Sequence, residues 1–267
     1  MPRGLKEAAY ASIGFTATVA QILLLRELMI VFSGNELSLG LLLAFWLLWT
    51  GVGATALGRW LREPMRANLW VGALQLLTAS SLVADLCMVR GSRAYLQATP
   101  GTLLGLGPMI ATSVGALALF CIPSGLLFAA ASHLERKAEL SAATATGRVY
   151  LCEALGSGAG GLLASLLFIP RLTPFQTTWI VLGVNAVLAS CLLLTRLRKH
   201  VASVVTLGVF GSFWWVPGML ERATLGWSWR GFQIVAVRNS PYGQLVVAEA
   251  GGARSLFESG VRLFGVG

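Results

Sequence analysis

Long apolar runs broken by short polar segments occupy the chain as far as Pro217, and from Arg230 the pattern changes to short alternating stretches separated by Gly, Asn, Ser and Pro. One helical crossing of a ~30 Å hydrocarbon core takes about 20 predominantly apolar residues. The runs that meet this length are Ala8–Phe32, Leu37–Trp60, Leu69–Val89, Pro108–Ser132, Val149–Ile169 and Phe175–Thr195. A further run, Val201–Pro217, is shorter, contains Gly208 and Gly211, and carries Phe213, Trp214 and Trp215 where an interfacial aromatic belt would sit. Either it crosses, which puts the carboxyl-terminal segment outside, or it lies in the interface, which leaves that segment in the cytoplasm. Beyond it, Phe232–Val237 alternates as a strand and Asn239–Gly243 supplies turn residues. Gln244–Glu249 makes a second strand, Gly251-Gly252 turns the chain into Arg254–Glu258, and Ser259-Gly260 precedes Val261–Phe264. The expected fold is mainly α: a polytopic helical membrane bundle of six to seven transmembrane helices over residues 1–220, then a short, incomplete antiparallel β-hairpin unit over 221–267.

Composition excludes a soluble domain. Of 267 residues, 56% are hydrophobic and 12% charged, against about 45–50% and 25% in soluble globular proteins. The first run is too long, and too closely followed by a second, for a cleaved signal peptide. The basic residues gather at alternate loops: Arg3 and Lys6; Arg59, Arg62 and Arg66; Arg136, Lys137 and Arg148; Arg196, Arg198 and Lys199. The intervening loops are left with Arg90, Arg93 and Arg171. Because Lys and Arg are retained preferentially on the cytoplasmic side, the amino terminus is expected there. The same bias accounts for the net charge of +9 and the pI near 10.1, so nucleic acid is not an expected partner. The lipid bilayer is.

Candidate chemistry is sparse. Cys87, Cys121, Cys152 and Cys191 stand singly in or beside apolar runs, and His133 and His200 lie in loops beside basic residues, so neither a metal site nor a disulfide framework is expected. The segment Gly156-Ser-Gly-Ala-Gly160-Gly161 satisfies GxGxxG, but a dinucleotide fingerprint follows a strand and opens a helix, whereas this one lies inside an apolar helical run. Gly156 and Gly160, at i and i+4, instead fit close helix–helix packing. Intramembrane charges cost several kcal/mol unless paired or hydrated. Arg26 and Glu27 fall in the outward half of the first run, Asp85 in the outward half of the third, and Glu153 near the inward end of the fifth; Arg26 and Asp85 are at similar depth and could pair. Gln21, Gln75 and Asn185 add polar groups. Two readings stay open: a polar cavity for a small solute, cationic or not, or interhelical bonding with snorkelling to the interface.

The block from Gln21 to Arg59 resembles the first two spans of bacterial membrane proteins fused to a spermidine synthase-like (polyamine aminopropyltransferase) domain. The resemblance rests on Gln21 with Arg26-Glu27, on Gly34-Asn35-Glu36-Leu37, and on Trp46 and Trp49 before Gly51. Gly147-Arg148-Val149-Tyr150 with Glu153-Ala154-Leu155-Gly156 looks like a second match, and the terminal strands are similar to the β-hairpin unit that opens an aminopropyltransferase. The resemblance implies a bacterial inner (plasma) membrane location and a substrate-contacting Gln at the start of the first strand, for which Gln233 stands nearest; a solvent-facing strand residue is the other reading of Gln233. It also departs from the family: Ser259-Gly260 followed by Leu263 replaces Asp-Gly and a Gln three residues on. The family's Gly-rich acidic loop and Asp base are missing, so no catalytic residue is assigned, and a fragment is expected. Decarboxylated S-adenosylmethionine would be a co-substrate only with a downstream catalytic domain, and no cofactor is expected in this chain. The leading expectation is the membrane portion of such a polyamine-metabolising transferase. The alternatives are a transporter for polyamines or another small solute, and a membrane anchor or assembly module. A polyamine substrate and a homo-oligomer formed through the helices or the β-unit are the remaining partners considered.

Overall fold

The structure, a computed structural model, describes residues 3–58, 67–136, 141–192, 196–240 and 243–266. The helices are α1 (Arg3–Val31), α2 (Leu37–Gly51, continued by a π-helical stretch Val52–Leu57), α3 (Ala67–Tyr95), α4 (Leu106–Glu135), α5 (Ala142–Leu163, prolonged through Ala164–Phe168 and Ile169–Arg171), α6 (Pro174–Leu192), α7 (Arg196–Ser212) and α8 (Val216–Ser228). Six are long and apolar enough to cross a membrane, and the described parts of α7 and α8 form a pair bent by 61° that brings the number to at most seven. The span ends Trp60 and Thr195, the loop residues Arg59, Arg62, Arg66 and Lys137, and the turn residues Pro241 and Tyr242 lie outside the described residues, as do the side chains of Arg196, Arg198 and Lys199.

The observed helices overrun the apolar runs. α3 continues past Val89 to Tyr95, so Arg90 and Arg93 are buried helical residues and not loop charges. Backbone hydrogen bonding carries a helix through a charge wherever tertiary partners satisfy that charge, and both arginines have such partners. This corrects the loop assignment without weakening the charge bias, because both sit near the sparsely basic end.

α1 packs along α5 and α3, α3 packs along α4 and α6, and α2 lies on α4. Leu24, Leu28, Leu82, Leu86, Phe120 and Phe175 form the middle of the main apolar cluster. Two helix pairs approach through small residues: a methyl group on Gly156 would run into the Ala11 carbonyl and one on Gly14 into the Glu153 carbonyl, while Gly53 and Gly125 play the same part between α2 and α4. Gly160 lies against Phe15. Gly156→Leu is expected to destabilise the bundle by about 1–3 kcal/mol or more through overpacking. Gly158→Leu, where the first added carbon meets open space, is the matched control, and the two melting temperatures in detergent check the difference.

The strands β1 (Gln233–Asn239), β2 (Gln244–Ala250), β3 (Ala253–Glu258) and β4 (Val261–Val266) form one antiparallel meander in the order β1-β2-β3-β4. Its inner face is small. Trp229, Val246, Ala248 and Phe257 are buried together, with Phe232 and Leu225 against them; the Trp229 and Phe257 rings are 4.8 Å apart, edge to face. The β3–β4 turn places Gly260 at φ 81, and a Cβ there would strike the Ile30 carbonyl. Glycine is required at that position on both counts.

That contact fixes where the sheet sits. Gly260 meets the last turn of α1, Val261 meets Gly34, and Phe257 meets Gly101 in the α3–α4 connection. α1 has 29 residues, about 43 Å at 1.5 Å per residue. The sheet is therefore at the far end of the bundle from the amino terminus, and α7 makes the return passage between them.

Candidate functional site

The most developed polar site lies where bundle and sheet meet. Glu27 is on the last turns of α1, Arg90 on the last turns of α3, and Glu221, Thr224 and Ser228 share one face of α8 at i, i+3 and i+7. Arg90 donates to both Glu27 oxygens, from Nε at 2.7 Å and from Nη2 at 2.8 Å. Its Nη1 reaches Glu221 Oε1 at 2.8 Å and Thr224 Oγ1 at 3.1 Å. The Ser228 hydroxyl donates to the Arg90 carbonyl at 3.0 Å, and the guanidinium carbon stands 5.3 Å from the Phe175 ring centroid. Arg90 is 2% exposed and Glu27 3%, so this triad is out of water. A planar guanidinium with its fork of donors suits two carboxylates at once, where a lysine ammonium would not.

Two more arginines extend the junction. Arg93 donates to the Val31 carbonyl at 2.7 Å, the Ser33 hydroxyl at 2.6 Å and the Thr99 carbonyl at 3.0 Å. It thereby ties the α1–α2 turn to the α3–α4 connection. Arg26 Nη2 donates to the Ser240 carbonyl at 2.8 Å, a bond from α1 to the β1–β2 turn. Within the α1–α2 turn the Asn35 side chain accepts from the Leu37 N–H at 2.9 Å, which satisfies a free donor at the start of α2.

The sequence-derived residues are thus distributed. Arg26 bonds to the sheet and not to Asp85. Glu27 joins the Arg90 triad. Asp85 is fully buried, and neither carboxylate oxygen has a hydrogen-bond partner among the described residues. Glu153 is half-buried on α5, and its backbone carbonyl is the group that Gly14 approaches. Gly156 and Gly160 face α1. Gln233 stands exposed at the first position of β1, opposite Glu249. Gln75 Nε2 donates to the Ala9 carbonyl at 3.2 Å and to Ser12 at 3.0 Å, and Asn185 Nδ2 to Thr16 at 2.8 Å, so both bind α1. Arg90, Arg93 and Glu221 were not singled out by sequence. The spacing Glu221, Thr224, Ser228 was the available signal, on a helix that straddles the expected boundary at residue 220.

A second ionic cluster closes the opposite end. Glu135 of α4 accepts from Tyr10 at 3.0 Å, Lys6 at 3.4 Å and Arg148 at 3.3 Å, and Arg148 also reaches Glu7 at 3.4 Å. It joins α1, α4 and α5.

The arrangement suits fastening better than solute binding. The space beside Arg26 and Glu27 measures about 10 Å³, roughly one water molecule. A groove of about 770 Å³ runs between α1, α5, α6 and α7 and is lined by residues such as Ala11, Phe15, Gly156, Trp179 and Phe210, with no charged side chain. Among the described residues no three His, Cys, Asp or Glu side chains come together as a metal site. Compared with models of protein families, with curated proteins and with solved structures, the chain matches none.

Proposed function

We propose that this chain is the membrane base of a protein related to the polyamine aminopropyltransferases: a helical bundle in a bacterial inner membrane whose terminal β-unit receives a catalytic domain. The supporting observation is the junction itself. A sheet joined only by a linker would need no Arg26–Ser240 bond, no glycine pressed on the last turn of α1, and no α8 carboxylate committed to Arg90. These contacts suit a platform of fixed orientation. The exposed apolar side chains of Val235, Val237, Leu263 and Phe264 leave apolar surface on the two outermost strands for a catalytic domain.

With the amino terminus cytoplasmic, the sheet faces the opposite side of the membrane. Decarboxylated S-adenosylmethionine is a cytoplasmic nucleotide, so this orientation favours an altered transferase over conventional spermidine synthesis. In intact cells, Arg254→Cys is expected to react with a membrane-impermeant maleimide, and Ala143→Cys at the start of α5 is expected to react only after the cells are opened. The reverse pattern would overturn this orientation.

The experiment that tests the reading is to follow the native transcript past the codon for Gly267 and to weigh the membrane-extracted protein. A continuing frame with a Gly-rich acidic loop after a strand, or a co-purifying partner that has one, is the expected result. A stop codon, a matching mass and no such partner would contradict it.

A further inference from the structure

Asp85 is the only aspartate in the chain; every other acidic residue is glutamate. It lies on α3 with no exposed surface and with neither carboxylate oxygen hydrogen-bonded to a described residue. The nearest arginine in sequence does not serve it. Arg90 is five residues on, roughly 140° round the helix and about 7.5 Å further along, and its guanidinium is taken by Glu27 and Glu221. Of the elements packed on α3, α4 contributes the Cys121 thiol within electrostatic reach of Asp85. α1 and α8 contribute Glu27 and Glu221, both turned to Arg90, and α6 carries no Asp, Glu, Lys, Arg or His. An ionised carboxylate taken out of water without a partner carries a penalty of several kcal/mol, which a bound proton removes.

The surroundings also provide a route. Thr78 lies seven residues before Asp85, two helical turns and about 10 Å below it on nearly the same side. Thr78 Oγ1 and, one turn further down, Gln75 Oε1 are buried without a hydrogen-bond partner among the described residues, as are Asn68 Oδ1 at the start of α3 and Ser132 Oγ at the end of α4. Buried polar groups of this kind are ordinarily satisfied by water. Together they mark a file of polar groups that runs from the amino-terminal end of the bundle up α3 to Thr78, two turns short of Asp85.

We propose that Asp85 is a proton-binding site within the membrane, neutral at rest, which exchanges its proton with water at the amino-terminal end of the bundle through the file containing Thr78 and Gln75. The step is a proton transfer alone: the carboxyl O–H bond breaks as the proton passes to a water molecule, which becomes hydronium and hands it on down the file, and the bond re-forms when a proton returns by the same route. This gives the bundle a chemistry of its own, independent of any transferase domain. Its failure would leave the membrane-base reading intact.

The single aspartate makes the test specific. The whole chain is made by cell-free synthesis with aspartate carbon-13 labelled at the side-chain carboxyl, placed in lipid bilayers, and compared by infrared spectroscopy with unlabelled protein. The difference spectrum isolates the Asp85 carboxyl without any substitution. At neutral pH the expected result is the carbonyl stretch of a protonated acid, which shifts when the sample is moved into D2O and shifts more slowly in Thr78→Val. Carboxylate bands at neutral pH, a carbonyl band that never responds to D2O, or equal exchange in Thr78→Val would each overturn the proposal.

Discussion

Arg90→Met is expected to be the most damaging single substitution in the bundle, costing about 3–5 kcal/mol, because it leaves two carboxylates buried without a countercharge. Glu27 is 3% exposed and Glu221 8%, so neither regains the hydration of a free carboxylate where it lies. The triple variant Glu27→Gln, Arg90→Met, Glu221→Gln is expected to recover most of that loss, since a buried ionic set contributes little net stability once its desolvation is counted. Unfolding of the three proteins in mixed micelles with increasing denaturing detergent checks the order: wild type and triple variant close together, Arg90→Met well below. Equal stability of wild type and Arg90→Met would mean that the triad is hydrated and does not join α1, α3 and α8.

The second large effect is confined to the sheet. Phe257 is 1% exposed and packs edge to face on Trp229 and on Phe232, the latter with ring centroids 5.8 Å apart. Phe257→Ala is expected to cost about 3–5 kcal/mol. So small a core has little else to lose, and the loss should appear as local opening. Hydrogen exchange should show the amides of β2 and β3 losing protection while those of α3 and α4 keep theirs. Equal loss across the helices would show that sheet and bundle unfold as one cooperative unit.

The bundle was legible because each crossing carries its signal in consecutive residues. Ala8–Phe32 and Pro108–Ser132 need no knowledge of the rest of the chain to be read as helices. The sheet was legible for a similar reason: Gly251-Gly252 and Ser259-Gly260 mark two-residue turns between alternating stretches, and both turns form. Arg90 and Arg93 were misread because a charge at the end of an apolar run looks like a loop unless its partner is known. Those partners are 63 and 131 residues from Arg90 in sequence, beyond the reach of any local pattern. The pairing of Arg26 with Asp85, inferred from similar depth alone, failed for a related reason. Depth fixes position along the membrane normal, while position around the helix and the folded-back sheet decided the contacts. The bend between α7 and α8 was equally hidden, because Gly208, Gly211 and Pro217 permit a break without fixing the direction of the chain beyond it.

The β-unit holds one fixed position on the bundle. Spin labels at Glu36→Cys, on the exposed turn before α2, and at Arg254→Cys, on exposed β3, report it directly in a chain whose four native cysteines are replaced by alanine. In lipid bilayers, pulsed electron–electron dipolar spectroscopy is predicted to give one narrow distance distribution, which broadens when Arg26→Ala removes the bond to the Ser240 carbonyl. A broad distribution with Arg26 in place would contradict the account, because the sheet would then be tethered to the membrane region and not mounted on it.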